Sequence, residues 1–181
     1  MKSNFTTLTT AIIIATLIGP VLANENFTTG PVFKEYGENI KIEGGLKHPA
    51  QQQFKVVFDV YKENETDKPH RGFNSIARFI NMHVRAGVPQ DNVEVALVVH
   101  GKAAYGLLKD NVYREKFGTN NPSSELLSQL LENNVRVIAC GQSSSYLGIG
   151  RTELIDDVEL SLSAMTANAL LQQAGYTLNP F

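Results

Sequence analysis

The chain has 181 residues, 43% of them hydrophobic and 19% charged, with a formal charge of -2 and an isoelectric point near 6.1. That is the make-up of an ordinary globular protein with one good core, so a single domain is the default. With 16 basic against 18 acidic residues and no long run of Lys or Arg, nothing marks an electrostatic footprint for nucleic acid, and that class of partner is set aside.

Residues 1–23 read as a targeting segment. Lys2 opens the chain, Ala11 to Ile18 is an apolar run, Gly19-Pro20 breaks it, and Val21-Leu22-Ala23 has the small-residue pattern of a signal peptidase site. The apolar run is well short of the roughly 20 residues that cross a bilayer. Cleavage after Ala23 is therefore expected over a retained anchor, giving a periplasmic chain that begins at Asn24 without stable membrane insertion. An oxidising compartment favours disulfides, yet the single cysteine can form none within its own chain. Its thiol is buried, paired between chains, or reactive.

Residues 24–52 contain Gly30-Pro31, Gly37, Gly44-Gly45 and Pro49 with scattered apolar residues, the pattern of an extended N-terminal arm. Ile40-Lys-Ile42 either adds a short edge strand or packs on the domain. Regular structure is expected over 53–181. Phe54, Val56, Val57, Phe58 and Val60 make a nearly continuous apolar strand, broken by Asp59, of the kind covered on both faces. Phe73, Ile76, Ala77, Ile80 and Val84 then fall on one helical stripe ending near Gly87. Val93 to Val99 is a second buried strand, running into His100-Gly101-Lys102. Tyr105 to Leu108 suggests a short helix. Asn121-Pro122 suggests an N-cap with proline at the first helical position, ahead of Leu126, Leu127, Leu130 and Leu131. Strands alternating with helices imply parallel pairing and right-handed crossovers, hence an α/β three-layer sandwich with a mainly parallel sheet.

The third strand is the informative one. Val135 to Ala139 is β-branched or small apart from Arg136, whereas Gly141, Gln142 and Ser143 to Ser145 cannot continue it, so Cys140 stands where a buried strand gives way to a polar loop. Ligands of open parallel sheets bind outside that carboxyl edge. The competing reading is a small hydrophobe in the core, since free cysteine packs as one. His100 and Lys102 stand at the end of another strand on the same edge, each an ordinary exposed residue unless it reaches the sulfur.

In the last segment, Val158, Leu162, Met165 and Ala169 form one helical stripe, and Leu160, Ala164, Ala167 and Leu171 form another displaced by two residues. A helix with two apolar faces needs a second cover. A partner subunit is the simplest, and the N-terminal arm is the alternative. Gly175 caps the helix and Tyr176 to Phe181 supply a last strand.

From Phe54 to Phe181 these motifs resemble the DsrE/DsrF-like proteins, most closely an exported subgroup. The likeness lies in Val56-Val-Phe-Asp-Val60, Val98-Val-His-Gly101, Ala139-Cys-Gly-Gln-Ser143, Ala164-Met-Thr-Ala167 and Gln172-Gln-Ala-Gly-Tyr176. It implies a flavodoxin-like fold, assembly as homotrimers or hexamers, and, by analogy with sulfur-relay members, a loop cysteine that accepts and passes on sulfur as a persulfide. Cys140 would then be the carrier, with Gly141, Gln142 and Ser143 shaping its loop and a sulfur donor or acceptor protein as partner.

Other chemistries find little support. His48, His70, His83 and His100 show no metal-ligand spacing, and one cysteine cannot build a thiolate-rich zinc site. Gly148-Ile-Gly150 lacks the third glycine and preceding strand of a dinucleotide fingerprint, and neither a P-loop nor a Gly-x-Ser-x-Gly elbow occurs. No cofactor is expected. Two functional classes remain: a sulfur-handling protein with a persulfide on Cys140, and a non-catalytic oligomer that binds a small ligand or protein at the same edge, with Cys140 structural.

Overall fold

The computed structural model describes residues 27–64 and 67–179; the signal-peptide reading of residues 1–23 lies outside them. Five strands, β1 (Phe54–Val60), β2 (Val93–Val99), β3 (Arg136–Cys140), β4 (Glu159–Ser161) and β5 (Thr177–Asn179), form one sheet in the order β4-β3-β2-β1-β5. Every neighbouring pair is parallel. The helices between them are α1 (Arg71–Arg85), α2 (Asp110–Phe117), α3 (Ser124–Glu132), α4 (Gly141–Leu147) and α5 (Ala164–Gln173).

The strand order decides which face each helix covers. From β1 through β4 the chain steps repeatedly toward one edge, and right-handed crossovers put the intervening segments on one side of the sheet. The return from β4 to β5 runs the opposite way, so the same handedness throws α5 onto the other side. The packing follows this division. Phe58, Val60, Leu97, Val99 and Val137 face a large core with Phe73 and Ile76 of α1 and Leu126, Leu127 and Leu130 of α3. Val57, Ala96, Val98, Ile138 and Cys140 face Ala164, Ala167 and Leu171 of α5. These alternating strand residues explain why β1, β2 and β3 read as continuous apolar runs.

Several local expectations are corrected. The segment at Tyr105 belongs to a longer 3-10 stretch, Gly101–Leu107, and α2 follows it with no buried residue at all. A helix without an apolar stripe leaves no periodic trace. The N-cap of α3 is Ser123, not Asn121. The Asn121 side chain accepts from Ser123 N and donates to the carbonyls of Gly106 and Leu108, which makes it the tie of the preceding turn, with Pro122 inside that turn. The final helix begins at Ala164 because Glu159–Ser161 pairs with β3; Val158 joins the core of the opposite face. Its two stripes separate as inside and outside. Ala164, Ala167 and Leu171 are buried, whereas Leu162 just before the helix and Met165 within it are 72% and 80% exposed.

The arm forms no edge strand at 40–42. Thr28 and Asn39 make one isolated antiparallel bridge, while Ile40 and Ile42 border a shallow groove with Met82 and His83 of α1. Asn81, fully buried in α1, holds the arm by accepting from the amides of Val32 and Phe33 and donating to the carbonyls of Phe33 and Tyr36. Arg85 adds bonds to the carbonyls of Thr29 and Gly30 at 2.7 Å. Gly37 is required where the arm crosses α1: its φ is +67°, and a Cβ there would lie 2.4 Å from the Ala77 backbone.

Candidate functional site

The polar stretch after Cys140 is a helix, not a flexible loop. Gln142 to Ser145 offer no apolar period, but Cys140 occupies the N-cap of α4 and its Sγ accepts from Ser143 N at 3.4 Å, so the helix is started by its cap. Gly141 opens that helix against the end of β4. A Cβ on Gly141 would lie 2.7 Å from the Ser161 carbonyl oxygen, so any side chain would push α4 away from the sheet and carry Cys140 with it.

Cys140 itself is 5% exposed, beneath the first turns of α5, rather than the open thiol its strand-end position suggests. Burial is the largest single influence on its titration and pushes the thiol up. The hydroxyl and amide of Ser143, the Ala164 amide and the Gln142 amide together outweigh it, and the thiol lies below its ordinary value. Gln142 and Ser143 belong to the first turn of α4 and Ala164 is the first residue of α5. Two helix starts thus lie against one sulfur, with the Ser143 amide bonded to it, an environment that favours an anion on it.

The other expected residues divide. Ser143 Oγ accepts from Gly101 N at 2.9 Å, which joins the turn after β2 to α4 and makes Gly101 and Ser143 structural partners at the thiol. Gly101 has a φ of +54°. Gln142 is exposed on the rim and reaches the Leu162 carbonyl at 3.4 Å. His100 Nε2 lies 2.9 Å from Asp59 Oδ2. Lys102 is not brought to the sulfur: its Nζ pairs with Glu63 at 2.9 Å and lines a separate cleft with Tyr105 and Tyr113. Two residues at this edge escaped the sequence reading. Asp59 Oδ1 accepts from Asn168 Nδ2 of α5 at 2.7 Å. The sign that pointed to Asp59 was a carboxylate inside a strand covered on both faces; Asn168 left none.

Among the described residues, no cluster of three or more His, Cys, Asp or Glu side chains is arranged to hold a metal ion, and no helix is long and apolar enough to cross a membrane. Among curated proteins, no relative matches the chain. Solved structures share its fold, two of them as follows. One is a protein of unknown function, MTH1491, from Methanobacterium thermoautotrophicum, at 19% identity and a TM-score of 0.55; the other is the ychN protein from E. coli, at 21% and 0.54. Each is covered over 100% of its length by 71% of this chain. The family model described as DsrE/DsrF-like matches residues 55–180, which takes in β1, β2, β3 and the cysteine at the sheet's carboxyl edge: the chain belongs to the DsrE/DsrF-like family.

Proposed function

We propose that the protein is an exported sulfur carrier that holds sulfane sulfur as a persulfide on Cys140 and passes it between a donor and an acceptor protein. The observation that supports this reading is the Ser143 amide bonded to the Cys140 sulfur at 3.4 Å, at a thiol that the polar groups of Ser143, Ala164 and Gln142 hold below its ordinary value. A thiolate is the species that attacks a sulfur-sulfur bond, and the hydrogen bonds that stabilise it also suit the terminal sulfur of a persulfide anion. Family membership supports the same reading. Assembly as a homotrimer or hexamer belongs to it, because Leu162, Met165 and Leu170 lie exposed beside the site.

The experiment is to incubate the folded protein with polysulfide and measure intact mass. A gain of roughly 32 Da, removable by dithiothreitol and absent in Cys140→Ser, is the expected result. The burial of Cys140 favours a second reading, an oligomeric binding protein with a structural thiol. That reading wins if Cys140 gains no sulfur and alkylates only after denaturation.

A further inference from the structure

At the carboxyl ends of three neighbouring strands, Asp59 near the end of β1, His100 just past β2 and Cys140 at the end of β3 are turned by the pleat to the same face. Val57, Val98 and Ile138 point toward α5, so the residues two positions on, Asp59, His100 and Cys140, do so as well. Val99 and Ala139 are partners across β2 and β3, which sets His100 and Cys140 level on adjacent strands, about 4.8 Å apart in the pairing direction. His100 therefore stands between Asp59 on one side and Cys140 on the other.

The hydrogen bonds around Asp59 assign the protons. An ionised carboxylate only accepts, so Nε2 of His100 carries the hydrogen of the 2.9 Å bond to Oδ2, which leaves Nδ1 of the neutral ring with a lone pair. The other oxygen of Asp59 accepts from Asn168 Nδ2. Asn168 Oδ1 is buried and has no partner among the described residues, and flipping the amide would set that oxygen against the carboxylate. Two donors thus converge on one side chain, each on its own oxygen. Only a carboxylate satisfies both; an asparagine there would turn an NH2 group toward one of them. The Tyr61 ring stacks on the imidazole, with centroids 5.6 Å apart and an interplanar angle of 30°, and restricts its rotation.

We propose that Asp59 and Asn168 are positioning residues that set His100 as the acid–base group for sulfur transfer at Cys140. The inference rests on the carrier reading above. In the transfer, the Cys140 thiol gives its proton to His100 Nδ1, and the thiolate attacks the terminal sulfur of a persulfide donor, R–S–SH. The new Sγ–S bond forms as the donor's S–S bond breaks, with its electron pair leaving on R–S⁻. His100 then returns the proton to R–S⁻, leaving R–SH and Cys140 as its persulfide. Atoms and electrons balance without an added oxidant or reductant.

Asp59 and Tyr61 approach His100 from β1 and the turn after it, Cys140 stands level with it on β3 by register, neutral Asn168 holds Asp59 from α5, and neutral Ser143 accepts from the adjoining Gly101 amide. Lys102 and Glu63, the nearest opposite charges in the adjoining turns, bind each other. Because Cys140 titrates as well, only the part of the pH–rate profile that His100→Gln removes is assigned to this ring.

The test follows sulfur uptake from glutathione persulfide by quenched intact-mass analysis, across the pH range in which histidine titrates, for the purified wild type, His100→Gln, Asp59→Asn and Asn168→Ala. The wild type is expected to show a histidine limb. His100→Gln should lose it and slow by roughly 100-fold, the lower range of general acid–base contributions. Asp59→Asn and Asn168→Ala should slow less while reaching the same final mass. Thermal melting checks that each variant is folded, and the two positioning variants test one idea through different side chains. If wild-type Cys140 takes up no sulfur, the carrier reading falls and this inference with it. If all four proteins take up sulfur with superimposable pH–rate profiles, the assignment of His100 fails while the carrier reading stands.

Discussion

Replacing Asn81 with alanine tests how the N-terminal arm contributes to the domain. Four hydrogen bonds of 2.9 to 3.0 Å disappear together with a longer one of 3.4 Å to the Gly37 carbonyl. Their loss is uneven. The Phe33 carbonyl keeps the Gly30 amide as a donor, and the half-buried Val32 amide and Tyr36 carbonyl regain water, so each contributes about 0.5–1 kcal/mol. The Phe33 amide is buried with no second acceptor, and an orphaned buried donor costs about 1–3 kcal/mol. Together these give roughly 2.5–6 kcal/mol, a large share of the 5–15 kcal/mol that holds a typical domain together. Urea unfolding followed by circular dichroism measures it as a lower midpoint, and limited proteolysis should show the arm cut first. A loss below about 1 kcal/mol would refute the reasoning, because it would mean the arm's docking is energetically neutral.

Three further outcomes are expected. Ser143→Ala removes a hydrogen bond to the Cys140 sulfur and strips the Gly101 amide of its acceptor, so the thiol should titrate higher when thiolate absorbance is followed against pH; an unmoved midpoint would reject the role given to Ser143. His70 is buried, with Nδ1 accepting from Gly72 N and Nε2 2.8 Å from the Lys62 carbonyl, and its pKa is lowered below 6.5 mainly by burial. The folded chain resists a proton that the unfolded chain accepts, so stability is full above the unfolded value and falls as pH drops below it; the decline in unfolding free energy on acidification should be shallower in His70→Gln. Met165→Glu sets a charge on the exposed apolar surface of α5, where an assembled interface would leave it buried and unpaired; light scattering should find a smaller species than the wild type, and a monomeric wild type at micromolar concentration would reject the assembly.

How far the sequence could be read depended on what each element buries. β1, β2 and β3 were visible because both faces of a central parallel strand are apolar, and α1 because Phe73, Ile76, Ala77 and Ile80 fall on one stripe. α2 was invisible because none of its residues is fully buried, only Val112 and Tyr113 resting partly on the core, and α4 because its helix depends on a cysteine cap and a close pass of Gly141 over Ser161, which are tertiary facts. The short β4 was absorbed into a longer helix because Val158 to Leu162 carry apolar residues at spacings that fit either period. Cys140 was placed correctly at the strand's end, but its burial by α5 was not, since nothing local says which helix returns over that edge. His100 was singled out as a candidate from position alone. Its bond to Asp59 depends on the alignment of two strands whose bonded residues are 41 positions apart.

The unequal cladding of the sheet has a consequence for control. One face is covered by several segments, whereas α5, a helix of 10 residues, is the main cover of the other. The same short helix shows Met165 and Leu170 to the outside and presents the Ala164 amide to the sulfur and Asn168 to Asp59 within. On the carrier reading, a subunit or delivery protein that seated on the outer surface and tilted α5 would shift the surroundings of Cys140 in the same movement, so docking itself would arm or safeguard the thiol without a separate relay.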